Sequence, residues 1–449
     1  MTKHTELLPL WPIGRQAFAA AFDAEHTTSD AGVVLLGRID RQLRLTERLA
    51  AAIHDRREPA KIRHTTRELL LQRICQIALG WPGCNDAATL RHDPAYKLAC
   101  DRQPVSGADL ASQPTLSRLE NRITPQELDQ LSQVLLDVTL DKRAKTGTRR
   151  RTIILDFDGT DAQTHGHQQL SFFHGYYGHT CYLPLLIFDG DTGDLLSVMM
   201  RSGKAGTAEG TVTQLAEIVA GLKRRWPGAR IILRGDAGFA WPEVFEFAET
   251  YGLDYLIAMG SNVNLAKLSE FAETDARRLA ERAGESRRRY GMGQYQSQGW
   301  EAPRTVIWKA EAQKADAAAE VAMDVRFVVT NLYGEANVLY DRYCQRGDAE
   351  NRIKDFKRAL AGDRMSCHQV TANHFRPLLH AAAYLLMQTL RGHLADTDAG
   401  RWQFDTLRLR LLKVGGWLQQ SVRRVVLHLA ASHPRQDLWR LLFQRLAPT

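Results

Sequence analysis

The run Thr152-Ile153-Ile154-Leu155-Asp156-Phe157-Asp158-Gly159-Thr160 decides how the rest of this chain is read. It is apolar and β-branched, then abruptly acidic. A continuous apolar run of this length predicts a strand buried on both faces, and strand side chains alternate sides, so Asp156 and Asp158 share one face. A second run, Ala229-Arg230-Ile231-Ile232-Leu233-Arg234-Gly235-Asp236, also ends in an acid. The glycines of Gly235-Asp236-Ala237-Gly238-Phe239 suit a turn from strand into helix. One such acid is usually a turn or cap residue. Two of them suggest a place where carboxylates gather.

Outward from the first strand, residues 182–188 and 195–200 read as strands joined by Asp189-Gly190-Asp191-Thr192-Gly193, a strong hairpin signal. A helix over 208–226 leads to the second acid-bearing strand, and another over 241–251 leads to a strand over 254–259. The predicted order is therefore three strands, then helix, strand, helix, strand, helix.

Further on stand Tyr343, Arg346, Glu350 and Lys357. A helix turns about 100° per residue, so residues seven apart drift by only about 20°. On one continuous helix Tyr343, Glu350 and Lys357 share a face, with Arg346 about 60° away. Ala349, Ile353, Phe356 and Leu360 form a separate apolar stripe. Taken alone, that polar face is most simply a solvated surface with casual ion pairs. Beside two strand-end acids it reads as a third carboxylate flanked by phosphate-binding groups, a donor set of hard oxygens suited to Mg²⁺.

These elements resemble the DDE transposases of bacterial insertion sequences. Asp158-Gly159-Thr160, Arg234-Gly235-Asp236 and the Tyr343, Arg346, Glu350, Lys357 spacing carry the likeness, the last at all four positions of the subgroup signature Tyr-Arg-Glu-Lys. Gly166-His167-Gln168-Gln169, Gly175-Tyr176-Tyr177 and the stretch Leu110 to Glu120 add to it, so the resemblance covers roughly residues 25 to 430. It implies an α/β, ribonuclease-H-like catalytic domain whose first acid is on the first strand, second ends the fourth, and third rides a later helix. Asp158, Asp236 and Glu350 become catalytic and metal-binding. Asp158 is preferred over Asp156 because Asp-Gly-Thr is the matching element. Tyr343, Arg346 and Lys357 become DNA- and phosphate-binding. Two Mg²⁺ ions, about 3.5–4 Å apart and replaceable by Mn²⁺, would serve in-line displacement at phosphorus. Some relatives form a hairpin on the element end and hold a flipped base with a Trp, which makes Trp300 and Trp308 base-stacking candidates. Their plainer role is as core anchors of a β-rich segment.

Charge agrees with a polyanionic partner. Lys and Arg exceed Asp and Glu by 4 in residues 1–150 and by 10 in residues 351–449, whereas residues 151–350 carry a net −6, giving +8 overall. Basic flanks attract DNA while central carboxylates hold metal. Cys75, Cys84, Cys100, Cys181, Cys344 and Cys367 show no C-x-x-C spacing, so reduced thiols are expected and a zinc site is not. His165-Gly166-His167 lacks a third ligand. Gly203, Gly206 and Gly210 are not followed by the Lys-Ser/Thr of a phosphate loop. The longest apolar stretch, residues 378–390, is interrupted by His380 and Gln388 and is too short for a membrane span. A cytoplasmic, nucleoid-associated bacterial protein is expected.

Five regions are expected. Residues 1–140 form a helical DNA-binding region in which Arg67, Arg73, Arg91 and Arg118 are possible sequence readers. Residues 141–151 form a linker with six cations in eleven residues. Residues 152–261 and 336–375 form the catalytic domain, interrupted by a β-rich insertion at 262–335. Residues 376–449 form a basic C-terminal region with a hairpin from Leu407 to about Leu429, begun by alternating Leu and Arg, and a helix over 434–446. Leucines of that region (Leu378, Leu379, Leu385, Leu386, then Leu438, Leu441, Leu442) are expected to pair protomers.

The expected function is a transposase that binds terminal inverted repeats on double-stranded DNA, cuts there, and joins the 3′-hydroxyl ends to target DNA as a homodimer. Two rivals remain: a stand-alone ribonuclease-H-like nuclease or resolvase, and a DNA-binding repressor with a retired active site.

Overall fold

The computed structural model of the chain describes residues 6–147, 149–314 and 320–447. Two compact units emerge: residues 1–50, 55–119 and 389–449 form the first, and residues 51–54 and 120–388 the second.

The second unit is built on one eight-stranded mixed sheet. Its strands are β1 (Thr152–Gly159), β2 (Leu185–Asp189), β3 (Leu195–Met199), β4 (Arg230–Gly235), β5 (Asp254–Met259), β6 (Arg287–Tyr295), β7 (Arg304–Gln313) and β8 (Ala322–Thr330). The spatial order is β6-β7-β8-β5-β4-β1-β2-β3. Strands β1, β4 and β5 run parallel; β2 and β3 fold back as antiparallel neighbours. The helices Thr211–Arg225, Pro242–Thr250 and Val263–Ala283 follow β3, β4 and β5 in the expected order. The turn at 189–194 closes because Gly193, at φ 71°, donates its amide to the Asp189 carbonyl.

Alternation along β1 sorts its two faces. Ile153, Leu155 and Phe157 join Ile231 and Leu233 of β4 and the inner faces of the flanking helices in one core, including Leu215, Ile218, Val244 and Phe245. Each such aliphatic or aromatic side chain contributes on the order of 1.5–3 kcal/mol by leaving water. The opposite face carries Ile154, with Ile232, Leu256, Ile307 and Val328, under Leu339 and Tyr340. Asp156 and Asp158 extend from that second face.

Several expected boundaries move. The β-rich stretch at 262–335 does not stand apart, because β6, β7 and β8 hydrogen-bond in series onto the β5 edge and prolong the central sheet. The helix Pro125–Ala144 starts from a reciprocal Thr124–Glu127 capping box and places Leu136 and Leu140 in the core of the catalytic sheet, so residues 120–140 leave the N-terminal region. The basic linker is not a free tether. Lys142 and Arg143 both pair with buried Asp194, and Arg150 pairs with Asp189 and Asp191, so the acidic hairpin turn neutralises half of its six cations.

The first unit gathers three stretches of sequence. Helices Thr66–Ala78 and Pro94–Ala99 both pack on Val33–Leu43, and Arg408 donates to the Ala78 carbonyl at 2.8 Å. Buried Asp30 accepts hydrogen bonds from Trp81 Nε1 (2.7 Å) and Tyr96 (3.1 Å) and pairs with Lys413 (2.9 Å). Gly32 is needed here, because a Cβ would lie 2.3 Å from Leu412 Cα. Arg73 is buried and donates to the Trp81 and Pro82 carbonyls, and Arg67 pairs with Asp101. Residues 404–412 are helical where alternating Leu and Arg suggested a strand. Leu407, Leu411 and Leu412 are buried there by helical spacing. The hairpin lies further on, pairing Gly416–Gln420 with Val425–Leu429. In the last helix, Gln436–Arg445, Leu438 and Leu442 are buried and Leu441 is half-buried; Leu378, Leu379, Leu385 and Leu386 are buried in the helix Val370–Gly392. Among the described residues, no helix is long and apolar enough to cross a membrane.

Candidate active site

Parallel pairing of β1 with β4 sets Asp156 directly across from Arg234. Two residues further along each strand come Asp158 and Asp236, so one register brings both acids to the same edge of the sheet. Gly235 permits the approach: a Cβ there would lie 2.4 Å from the Phe157 ring. Asp236 then caps the short turn Ala237–Phe239, its Oδ1 accepting the Gly238 amide at 2.9 Å.

The segment bearing Tyr343, Arg346, Glu350 and Lys357 is helical but broken twice. The helix Ala336–Cys344 stops at a turn where the Arg346 amide bonds to the Tyr343 carbonyl, and Gly347–Lys354 resumes it. Residues Asp355–Ala359 then form a π turn. The extra residue shifts Lys357 off the face it would share with Glu350 on a regular helix; such bulges are frequent at functional sites. Ala349, Phe356 and Leu360 still pack inward, while Ile353 is only half-buried.

Arg346 lies between the two strand-end acids. Its Nη2 is 2.7 Å from Asp158 Oδ2 and 3.6 Å from Asp236 Oδ2. Its Nε is buried and has no hydrogen-bond partner, leaving one donor for an incoming anion. Burial pushes the Asp158 carboxyl up to about 6; Arg346 opposes this, and the carboxylates of Asp236 and Glu350 add to it. Glu350 is exposed in the first turn of its helix, near enough to act on Asp158. Tyr343 packs beside Tyr340, and burial raises its phenol above the ordinary value. Lys357 reaches the end of β1 instead, donating to Thr160 Oγ1 (3.1 Å) and Asp161 Oδ1 (2.8 Å). Burial pushes the Asp161 carboxyl up, but Lys357 and His179 (Nε2 to Oδ2, 3.0 Å) hold it below the usual carboxylate range.

Behind this edge lies a charged group that the sequence reading did not single out. Asp156, fully buried, accepts from Arg234 Nε (2.5 Å) and Nη2 (2.8 Å) and from Arg352 Nη1 (3.1 Å). Arg234 also donates to the Arg342 carbonyl (2.7 Å), and Arg352 to the Gly190 carbonyl (2.5 Å). Each member stands two residues from an acid of the edge: Asp156 from Asp158, Arg234 from Asp236, Arg352 from Glu350. That repeated offset was the available signal. Asp156 is thereby committed to two guanidinium groups and is not open to a substrate.

The donor chemistry suits a divalent ion, with hard carboxylate oxygens whose mutual repulsion a cation relieves. Asp158 and Asp236 already converge on one cationic group, the Arg346 guanidinium. Among the described residues, no three His, Cys, Asp or Glu side chains stand grouped as a finished ligand set, His165 and His167 included. Trp300 and Trp308 lie elsewhere, 6% and 7% exposed in the main core, and Trp300 contacts Phe245 and Tyr295. With their rings covered, neither can stack on a base.

A family model described as transposase DDE domain, group 1, matches residues 11–449. A search of curated proteins gives no match. One similar solved structure is described as a cryo-EM structure of the piggyBac transposase synaptic complex with hairpin DNA. It is 10% identical, with a TM-score of 0.44 over 99% of this chain and 88% of that one.

Proposed function

Because this chain belongs to the group 1 DDE-domain transposases, we propose that Asp158, Asp236 and Glu350 form a metal-dependent centre that cuts DNA at the ends of a bacterial insertion sequence and joins them to a target. The sheet order around β1, with its first three strands antiparallel and β4 and β5 parallel, supports a ribonuclease-H-like reading of the catalytic unit. DDE transposases use divalent metal ions. Asp158, Asp236 and Glu350 would hold a pair of Mg²⁺ ions, with Mn²⁺ able to replace them. When bound, the metal supplies Lewis-acid stabilisation of the phosphoryl oxygens and a more acidic attacking water or 3′-hydroxyl.

The chain's own residues do the positioning. Arg346 moves from carboxylate to phosphate, its unpartnered Nε supplying a second donor for a forked contact. Lys357, steadied by Asp161 and Thr160, holds a neighbouring phosphate as a point charge. Tyr343 borders the same space with its phenol protonated. The partner is double-stranded DNA bearing terminal inverted repeats, engaged by a homodimer in the synaptic complex, in the cytoplasm at the nucleoid.

The observation that carries this reading is the convergence of Asp158, Asp236 and Arg346 at the ends of adjacent parallel strands. The test is incubation of purified protein with labelled element-end DNA, target plasmid and Mg²⁺. Cleavage and joining are expected, both abolished by chelator and by Asp158→Asn, Asp236→Asn or Glu350→Gln, with end binding retained. Cutting without joining would identify a nuclease, and binding without either a repressor.

A further inference from the structure

Gathering the N- and C-terminal stretches into one unit concentrates the positive charge. Residues 1–50, 55–119 and 389–449 hold 26 Lys and Arg against 17 Asp and Glu, or +9, while the other unit holds 33 against 34, or −1. Several of the first unit's cations are already paired within it. Arg57 pairs with Asp55, Arg67 with Asp101, Arg102 with Glu68, Arg435 with Asp398 and Arg445 with Asp396. A cation matched to a nearby carboxylate offers little to an incoming polyanion.

The hairpin tip Ser421-Val422-Arg423-Arg424 is different. Val422 is fully exposed, Arg423 and Arg424 are exposed, and neither guanidinium makes an ion pair among the described residues. The tip is nevertheless well held. The Ser421 amide donates to the Arg424 carbonyl (2.9 Å), and the Arg424 amide to Ser421 Oγ (3.2 Å). At its base, Gln420 accepts the Val105 and Ser106 amides (3.0 and 3.3 Å) and donates to Ser106 Oγ (2.7 Å). Trp417 stacks on His428 at 4.1 Å, and Leu418 is buried.

We propose that this hairpin is a DNA-contacting wing, its tip placing Arg423 and Arg424 on backbone phosphates of the duplex. Two adjacent unmatched cations on a fixed, protruding turn in the more basic unit are what a phosphate ladder attracts. The assignment rests on the DNA-binding function proposed above and specifies a contact surface for it.

The test uses the full chain and a fluorescent element-end duplex, with affinity measured by anisotropy between 50 and 200 mM salt. Each phosphate contact contributes about 0.9 to the slope of log affinity against log salt, so Arg423→Ala/Arg424→Ala should flatten it by about 1.8. Arg423→Lys/Arg424→Lys should restore it, because a phosphate accepts either cation. Val422→Arg, which removes no contact, should steepen it by about 0.9. If the parent binds no duplex, the DNA-binding function itself fails. If the parent binds and the alanine pair keeps its slope, if lysines fail to restore it, or if Val422→Arg leaves it unchanged, the wing assignment is overturned.

Discussion

Replacing Asp156 with Asn removes the single negative charge on which the buried Arg234 and the half-buried Arg352 guanidinium groups converge. Three hydrogen bonds reach this carboxylate, at 2.5, 2.8 and 3.1 Å, from Arg234 and Arg352. Asn keeps the volume but offers one acceptor, and turns an NH₂ toward donors that cannot accept. Breaking a buried pair by removing one partner costs about 3–5 kcal/mol, because the other charge remains desolvated. Against a typical domain stability of roughly 5–15 kcal/mol, that is a large fraction. Urea unfolding of parent and Asp156→Asn should show a loss of unfolding free energy of that size. Asp156→Asn/Arg352→Met, which also removes one stranded cation, should recover part of it, and the cycle should give a coupling energy of about 1–3 kcal/mol. A loss below about 1 kcal/mol, or strict additivity, would refute the idea that these three side chains tie β1, β4 and the helix Gly347–Lys354 into one frame.

Other consequences are separable. Trp300→Ala should destabilise the protein by about 3–5 kcal/mol, as for other buried aromatics, while the products formed per folded molecule stay the same; a changed product pattern with normal stability would restore a base-stacking role. Thr124→Ala opens the capping box of Pro125–Ala144 and should cost about 1 kcal/mol in chemical denaturation. Asp93 caps Pro94–Ala99, and burial, reinforced by Asp30, pushes its carboxyl up from 3.8 to about 6 against the hydrogen bonds it accepts. The folded state therefore holds that proton more tightly, so this group's contribution to stability is full below about pH 4 and is lost as pH rises through 6. Asp93→Asn, still a good cap, should flatten that part of the stability–pH curve; an unchanged curve would place the titration elsewhere.

Local signals in the chain were readable where local physics decides the outcome. The β-branched run into Asp158 and the glycine turn at 189–193 each stabilise their own element, and each forms. The stretch from Leu407 to Leu411 misled because Leu-Arg alternation fits a strand as well as one turn of helix, and the choice is made by packing. Arg73 read as an exposed cation because nothing local shows that the Trp81 and Pro82 carbonyls surround it, whereas Trp300 sits in the core, the plainer of its two readings. At the site, Arg346 stands within 2.7 Å of Asp158 and 3.6 Å of Asp236. The break at Arg346 and the π turn at Asp355–Ala359 did not show in a pattern computed for an unbroken helix. The Asp156, Arg234 and Arg352 group was missed because its logic is one of register between distant strands.

The anchoring of Asp30 by Trp81, Tyr96 and Lys413 has a consequence for the order of events during synthesis. Residues 120–388 leave the ribosome before Lys413 does, and at about 5–20 residues per second synthesis from residue 120 to Lys413 takes roughly fifteen seconds to a minute. Throughout it Asp30 has no lysine, and the sheet strand at Thr27–Thr28 has no Gly416–Gln420 to pair with. The nuclease sheet can thus mature on the nascent chain while the more basic unit stays open. A polypeptide cut short before residue 413 would carry the acids of the active site without the unit that concentrates its charge.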